Sequence, residues 1–324
     1  MSYDVVTLGE TMLRLTPPGF ERFSQASNFE IHIGGSESNT AVGLARLGLK
    51  VAWLSRLTDN PLGRKIAEGI AEHGVDTSHV VWTNEDRVGT YYLERGKAPR
   101  GSQVFYDRQG SAMSRMQSSN LPASLFEMSN SRVLHTTGIT LGISETAART
   151  AEQAAQLAKK AGWLLSFDFN YRARLWSAEA ANQGCQSIME MADIIFIPQR
   201  DAGTIYGFHD DDPHAILELL AKLFPNATII LTMGANGAAA RTRSGQHFMQ
   251  PAFVAQEVER LGGGDAFSSG TLFGFIKTND IEKALRWGAA VAAFKYTIPS
   301  DLPLIHFAEV ESLVNGRTQS GVQR

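Results

Sequence analysis

The chain of 324 residues is long enough for one large or two modest domains, and its 43% apolar content suits a soluble globular protein with a substantial core. With 30 basic against 33 acidic residues the formal net charge is -3, so no overall field favours nucleic acid or an anionic membrane. The single cysteine, Cys185, excludes an intramolecular disulfide framework and a cysteine-rich zinc site.

The N-terminus runs directly into the strand-like Tyr3-Asp4-Val5-Val6-Thr7-Leu8, with no basic n-region or apolar signal core. No window approaches about 18 unbroken apolar residues, so no membrane span and a cytoplasmic location are expected. Residues 11–33 alternate without a helical pattern. A helix is then predicted over 37–47, a strand over 51–54 and a helix over 62–73, with Gly48 and Gly74 placed as C-terminal stops. Residues 88–106 alternate again and are rich in aromatics, so both irregular stretches read as antiparallel strands set apart from a main sheet.

From residue 133 a regular rhythm sets in. Strands are predicted at 133–135, 164–167, 194–197 and 229–232, and helices at 144–161, 215–224, 265–276 and 281–296. Ala181, Gln186 and Ile188 around Cys185 suggest a further helix and a structural thiol. This alternation predicts an α/β fold, a mostly parallel sheet with helices on both faces. There is no repeat, low-complexity segment or linker, so residues 1–324 are expected to form a single domain with a polar, fraying tail at 316–324.

The most informative stretch is Leu261-Gly262-Gly263-Gly264-Asp265-Ala266-Phe267. Glycines opening a helix leave amides and the positive end of the helix dipole free for a phosphate or oxyanion. A carboxylate there repels a phosphate unless it accepts a proton from the attacking hydroxyl. The plain alternative is a flexible loop with Asp265 capping the helix. A P-loop sequence is absent and Gly9 stands alone after the first strand, which disfavours both that nucleotide site and a Rossmann dehydrogenase. A different strand end offers Thr232-Met233-Gly234-Ala235-Asn236-Gly237, where Thr232, Gly234 and Gly237 would let the backbone approach phosphates. On the N-terminal side, Gly34-Gly35 could present bare backbone to a ligand, with Asn39 one turn further on as a donor and acceptor. Arg108, and Arg172 in Asp168-Phe169-Asn170-Tyr171-Arg172, are candidate cations for a carboxylate ligand or, as readily, surface ion-pair residues.

Gly262-Gly263-Gly264-Asp265 resembles the Gly-Ala-Gly-Asp signature of the ribokinase-like (PfkB) carbohydrate kinases, and Gly34-Gly35 followed by Asn39 resembles their N-terminal signature. The similarity runs from Leu8-Gly9-Glu10 to Ile298-Pro299-Ser300-Asp301. It implies a small β-sheet lid at about 11–33 and 88–106, which in that family closes over the sugar and often pairs with a second subunit's lid. It further implies Asp265 as base and Gly262, Gly263 and Gly264 as anion hole. ATP is expected against Thr232, Gly234, Gly237, Gly262 and Gly264, with Asn170 also on the nucleotide side. The substrate would lie against Gly34, Gly35, Asn39, Tyr92, Tyr106, Arg108, Arg172 and Asp301. Within the family the resemblance is greatest to kinases of 2-keto-3-deoxygluconate, implying ATP- and Mg2+-dependent formation of the 6-phospho sugar acid. Kinases of fructose or of the galactonate epimer, and a non-catalytic sugar-acid sensor, are the rival readings. The chain departs from the pattern at Gly263, which stands for Ala, at Glu259-Arg260, and at Gln199-Arg200-Asp201-Ala202, where many relatives have Asn-x-x-Glu near magnesium.

Overall fold

The computed structural model describes residues 2–127 and 131–317; the part of the polar tail beyond 317 lies outside the described residues. The N-terminal half runs β1 Val5–Leu8, β2 Met12–Thr16, β3 Glu30–Gly34, α1 Ser36–Arg46, β4 Val51–Thr58, α2 Pro61–Ala71, β5 Val75–Asp76, β6 Val80–Thr83, β7 Thr90–Glu94 and β8 Gln103–Asp107. It continues with β9 Val133–Thr137, α3 Gly138–Gly142, α4 Glu145–Lys160, β10 Leu164–Asp168, α5 Ala178–Met191, β11 Ile194–Pro198, α6 Gln199–Tyr206 and α7 Pro213–Leu223. The last elements are β12 Thr228–Thr232, β13 Ala238–Arg241, β14 His247–Gln250, α8 Gly263–Thr278, α9 Ile281–Tyr296 and α10 Phe307–Val314.

A 10-stranded sheet takes the order β14-β13-β12-β11-β10-β9-β1-β4-β5, with β6 also on β4. It is parallel except for β13 and β14. Successive side chains of a strand point to opposite faces. In β11, Ile195 and Ile197 enter one core, with Ala154 and Ala158 of α4 and Ile188 of α5, whereas Ile194 and Phe196 enter the other, with Leu272 of α8 and Leu285 of α9. Both faces are covered, which explains why these strands read as unbroken apolar runs. Cys185 is buried in the first core, where burial pushes its thiol upward, in keeping with a structural role.

The helices stop and start on local chemistry. Ser144 accepts the Ala147 amide at the start of α4, and Asn60 accepts from Leu62 and Gly63 ahead of Pro61 in α2. Gly48 and Gly74 follow α1 and α2 with φ of 92° and 88°, the left-handed conformation that ends a helix.

The second sheet has four strands in the order β3-β2-β7-β8. The hairpin pairs β2·β3 and β7·β8 are antiparallel, as the sequence predicts, but β2 and β7 pair parallel. The correction has a simple origin: β2 follows β1 and β7 follows β6, and β1 and β6 both pair parallel to β4, so both strands leave the main sheet in one direction. The connection 17–29 between β2 and β3 is not strand.

Candidate active site

The carboxyl ends of the parallel strands form one edge of the main sheet, and the glycine-opened N-terminus of α8 meets the chain there. Gly262 is the N-cap, at φ 77°, and a Cβ on it would collide with the carbonyl of Asp301. Only glycine satisfies both conditions. Asp265 therefore lies inside the first turn of α8 and does not cap it. The Gly263 amide donates to the Arg260 carbonyl at 3.2 Å, whereas the amides of Gly264 and Asp265 have no partner among the described residues. Of the expected anion hole, only the Gly263 amide is engaged; those of Gly262 and Gly264 are without an acceptor among the described residues, the Asp265 amide joins them, and open space lies where a Gly264 Cβ would be.

Asp265 is buried, and its two oxygens are held separately. Ser36 Oγ donates to Oδ1 at 2.6 Å and Asn39 Nδ2 to Oδ2 at 2.7 Å. Burial raises its pKa, the bonds from Ser36 and Asn39 and the Arg172 charge oppose the rise, and Asp301 adds to it. Asn170, expected on the nucleotide side, donates instead to Ser36 Oγ at 2.9 Å and so completes a chain Asn170, Ser36, Asp265. Its φ of 41° lies in the left-handed region that asparagine tolerates. Asn39 was expected to bind sugar hydroxyls, but its Nδ2 serves Asp265 and its Oδ1 takes the Gly35 amide at 3.4 Å. The glycine pair is likewise required by protein packing. A Cβ on Gly34 would strike the Tyr91 hydroxyl and Asp301, and one on Gly35 would strike the Glu10 carbonyl. Gly34, Gly35 and Asn39 nevertheless border the cleft.

The start of α8 separates two clefts. On one side Gly262 and Asp265 face a polar hollow with Glu10, Arg108, Arg172 and Arg174. On the other, Gly263 and Gly264 face a more apolar crevice with Thr232, Gly234, Gly237, Phe253, Ala289 and Tyr296. Thr232, Gly234 and Gly237 thus converge with the glycine loop, as the sequence predicts from the strand end at β12.

Three arginines border the polar cleft and differ in availability. Arg108 is paired with Glu10, which also accepts from Ser111. Arg174 donates to the Val104 carbonyl. Arg172 is exposed, and its guanidinium has no hydrogen bond or ion pair among the described residues. Neither Glu10 nor Arg174 was anticipated. Arg174 had a weak sign, two residues beyond Arg172 on the same strand-end loop.

Cross-strand register decides which lid tyrosines face the cleft. His32, Arg14, Tyr91 and Tyr106 form one row across β3-β2-β7-β8, and Ile31, Leu15, Tyr92 and Phe105 form the next. Alternate rows lie on opposite faces. Tyr91 and Tyr106 border the cleft, whereas Tyr92 packs with Phe23 and Phe29 on the outer face, at ring separations of 6.3 and 6.5 Å. The expectation that Tyr92 faces the cleft is not met: Tyr91, one step of the pleat away, takes that place. Asp301 also borders the cleft, but its carboxylate is held by Tyr91 Oη and, at 3.2 Å, by the fully buried Arg14.

Gln199 is half-buried on α6 and donates to the Asp210 carbonyl at 3.3 Å. Asp201 is fully buried, taking the Tyr171 amide at 3.0 Å and the Arg200 guanidinium at 2.8 Å, so it pins the loop carrying Arg172. Asp168 is the carboxylate under electrostatic pressure: burial and then the charges of Asp265 and Asp201 push it up to about 8.

A doubly wound sheet whose crevice is divided by one helix start, with a carboxylate on one side and open amides on the other, defines an enzyme that moves a phosphoryl group to a hydroxyl. Residues 2–301 match the family model for pfkB family carbohydrate kinases, and the chain belongs to that family. It is 38% identical over 324 residues to 2-dehydro-3-deoxygalactonokinase of Haloferax volcanii, covering 100% of both chains. To 2-dehydro-3-deoxygluconokinase of Bacillus subtilis it is 28% identical over 304 residues, covering 93% of this chain and 92% of the other. The crystal structure of 2-dehydro-3-deoxygluconokinase from Thermotoga maritima superposes with a TM-score of 0.90 at 30% identity, covering 98% of this chain and 99% of that one. The fold is thus the ribokinase-like α/β fold, and the protein is a carbohydrate kinase. No helix among the described residues is long and apolar enough to cross a membrane.

Proposed function

We propose that this kinase transfers the γ-phosphoryl of ATP to the terminal hydroxyl of a six-carbon 2-keto-3-deoxy sugar acid, 2-keto-3-deoxygluconate or its galactonate epimer. The observation that carries the reading is Arg172, an exposed guanidinium without a hydrogen-bond or ion-pair partner among the described residues, in the same cleft as Asp265. A guanidinium binds a carboxylate in a bidentate manner, which a neutral sugar does not exploit. The relatives named for the two epimers support both acceptors, and the greater identity to the galactonokinase keeps that epimer beside the gluconate.

In this mechanism the acid group lies toward Arg172, with Arg108 and Tyr106 along the same wall, and the far hydroxyl lies at Asp265. The carboxylate accepts the hydroxyl proton as the oxygen attacks the γ-phosphorus. The new O–P bond forms, the bridging bond to the β-phosphate breaks, and ADP leaves on the Thr232 and Gly264 side. The amides of Gly264 and Asp265, with the α8 dipole, stabilise charge on the transferring group. The apolar crevice between Phe253, Ala289 and Tyr296 suits an adenine ring.

The donor set fits magnesium better at Asp168 than at Asp201. Asp201 is bonded to the Tyr171 amide and the Arg200 guanidinium, whereas Asp168 takes a longer bond from Ser268 Oγ at 3.4 Å with no cation paired to it among the described residues, and a divalent cation would relieve the crowding of negative charge there. Bound with ATP, Mg2+ supplies charge neutralisation on the phosphates. A coupled ADP-release assay across both epimers, gluconate, fructose and ribose tests the whole. Preference for a neutral sugar over both keto acids overturns the acceptor assignment.

A further inference from the structure

Lys295 is a buried charge that the reaction leaves unexplained. It sits in the last turn of α9, fully shielded from solvent, and its Nζ donates to the main-chain carbonyls of Glu259 at 3.2 Å and Ile298 at 3.3 Å. No carboxylate among the described residues pairs with it at salt-bridge distance. Burying an ammonium on carbonyls alone is costly, and burial lowers its pKa to about 8 against the opposing pull of Asp301 and Glu259. Such a cost marks a site where a cation is needed.

The two carbonyls belong to the two loops that meet at the start of α8. The first loop runs from Glu259 through Arg260, whose carbonyl accepts the Gly263 amide, to Gly262. The second runs from Ile298 to Asp301, whose carbonyl abuts Gly262. Tyr296 ties the first loop to the end of α9, accepting from Val258 at 2.8 Å and Glu259 at 3.2 Å. Carbonyl oxygens gathered in this way repel one another, and the ammonium between them turns the repulsion into attraction.

We propose that Lys295 is a positioning residue, an internal cation that clamps loops 258–262 and 297–301 together and thereby fixes the α8 amides and Asp265 for catalysis. It rests on the phosphoryl-transfer reading above. Lys295 itself lines neither the sugar-acid cleft nor the adenine crevice, and the clamped loops give the former only Leu261, Gly262 and Asp301, so its loss should act on turnover and phosphate positioning more than on acceptor binding. A misplacement of about 1 Å at the reacting groups is enough to cost roughly a hundred-fold.

The test uses Lys295→Met, which keeps length without charge, and Lys295→Ala, which leaves a space bordered by the same carbonyls. Both are expected to unfold cooperatively on heating, to lose roughly a hundred-fold in kcat and to keep KM for the sugar acid nearly unchanged. Ammonium or methylammonium should restore kcat of the alanine variant by about tenfold or more, while tetramethylammonium, which has no N–H donor, should not. Normal turnover in Lys295→Met overturns the proposal. So does a folded alanine variant that ammonium does not rescue, or one that tetramethylammonium rescues equally. If neither variant folds, Lys295→Gln keeps a donor but no charge; reduced kcat in it supports the clamp and normal kcat overturns it. The wild-type chain in the same assay separates the two readings. If it releases no ADP with any sugar acid, the reaction assignment fails. The clamp is then judged by calorimetric ATP binding, which the variants should weaken and ammonium restore; unaltered binding overturns it.

Discussion

Asn39 and Asp265 stand 226 positions apart in the chain and meet at 2.7 Å, the amide of one holding the carboxylate of the other. The N-terminal glycine-asparagine motif and the C-terminal glycine-aspartate motif are thus two halves of one device. With Ser36 on the other oxygen, Asp265 cannot rotate without breaking two hydrogen bonds.

Replacing the carboxylate should therefore remove chemistry and spare binding. Asp265→Asn is expected to retain ATP and sugar-acid affinity by calorimetry while kcat falls by at least about a hundred-fold. Near-normal turnover would sink the assignment of the base.

The pH profile follows from the same two bonds. Asp265 acts as a base only when ionised, and its raised pKa places the loss of kcat on acidification above the ordinary carboxylate range. The Ser36 bond favours the ionised form, so Ser36→Ala should raise the pKa further and move the acid limb to higher pH. An acid limb that stays in place or moves to lower pH would contradict this ordering.

Arg172 and Arg108 should be unequal. Arg172→Leu removes an unpartnered cation and is expected to raise KM for the keto acid by about tenfold or more, with KM for ATP nearly unchanged. Arg108→Leu also strands Glu10, so it should both raise KM and lower thermal stability. Equal effects of Arg172→Leu on both substrates would mark a structural role.

Glu37 offers a stability test away from the chemistry. Its Oε1 takes bonds from the Thr137 amide and hydroxyl and from Thr140, but its Oε2 is buried without a hydrogen-bond partner among the described residues, and burial pushes the group up to about 7. A carboxyl raised in the folded state contributes stability below its unfolded pKa and loses that contribution as pH rises toward 7. Glu37→Gln should accordingly flatten the fall in Tm between pH 5 and about 8. An unchanged slope would show that the group does not govern it.

The outer row of the small sheet predicts assembly. Ile31 and Phe105 are 51% and 45% exposed beside Phe29 and Tyr92, an apolar strip that a lone subunit would leave in water. A homodimer through the lids would bury it about a twofold axis. Light scattering should give at least a dimer for the wild type, and Phe105→Glu should weaken both assembly and sugar-acid binding. A fully active monomer would rule the arrangement out.

The sheet was legible because β11 and its neighbours feed two cores at once, so their sequences are continuous apolar runs that no amphipathic helix would show. The short helices α6 and α10, at eight residues each, carry too few turns for a periodic signal. Glycine and aspartate at the start of α8 were readable from local chemistry alone. The roles of Ser36, Asn39 and Asn170 were not, since each depends on partners more than a hundred positions away. The resemblance puts Tyr92 at the cleft where the structure has Tyr91, because aromatic residues occupy both faces of the small sheet and nothing local fixes the phase of the pleat.

The grip of Arg14 and Tyr91 on Asp301 decides how the lid can move. Arg14 lies in β2, fully buried, and Tyr91 in the neighbouring β7, so lifting the whole sheet would expose a guanidinium and a carboxylate together. The root of the sheet is therefore an anchor rather than a hinge, and its far rim, the connections 17–29 and 95–102, is held by exposed or half-buried bonds, with Arg100 donating to Glu94 and to the Phe20 carbonyl. None of that rim borders the cleft, so changes in its length or composition leave the catalytic floor and the acceptor wall as they are.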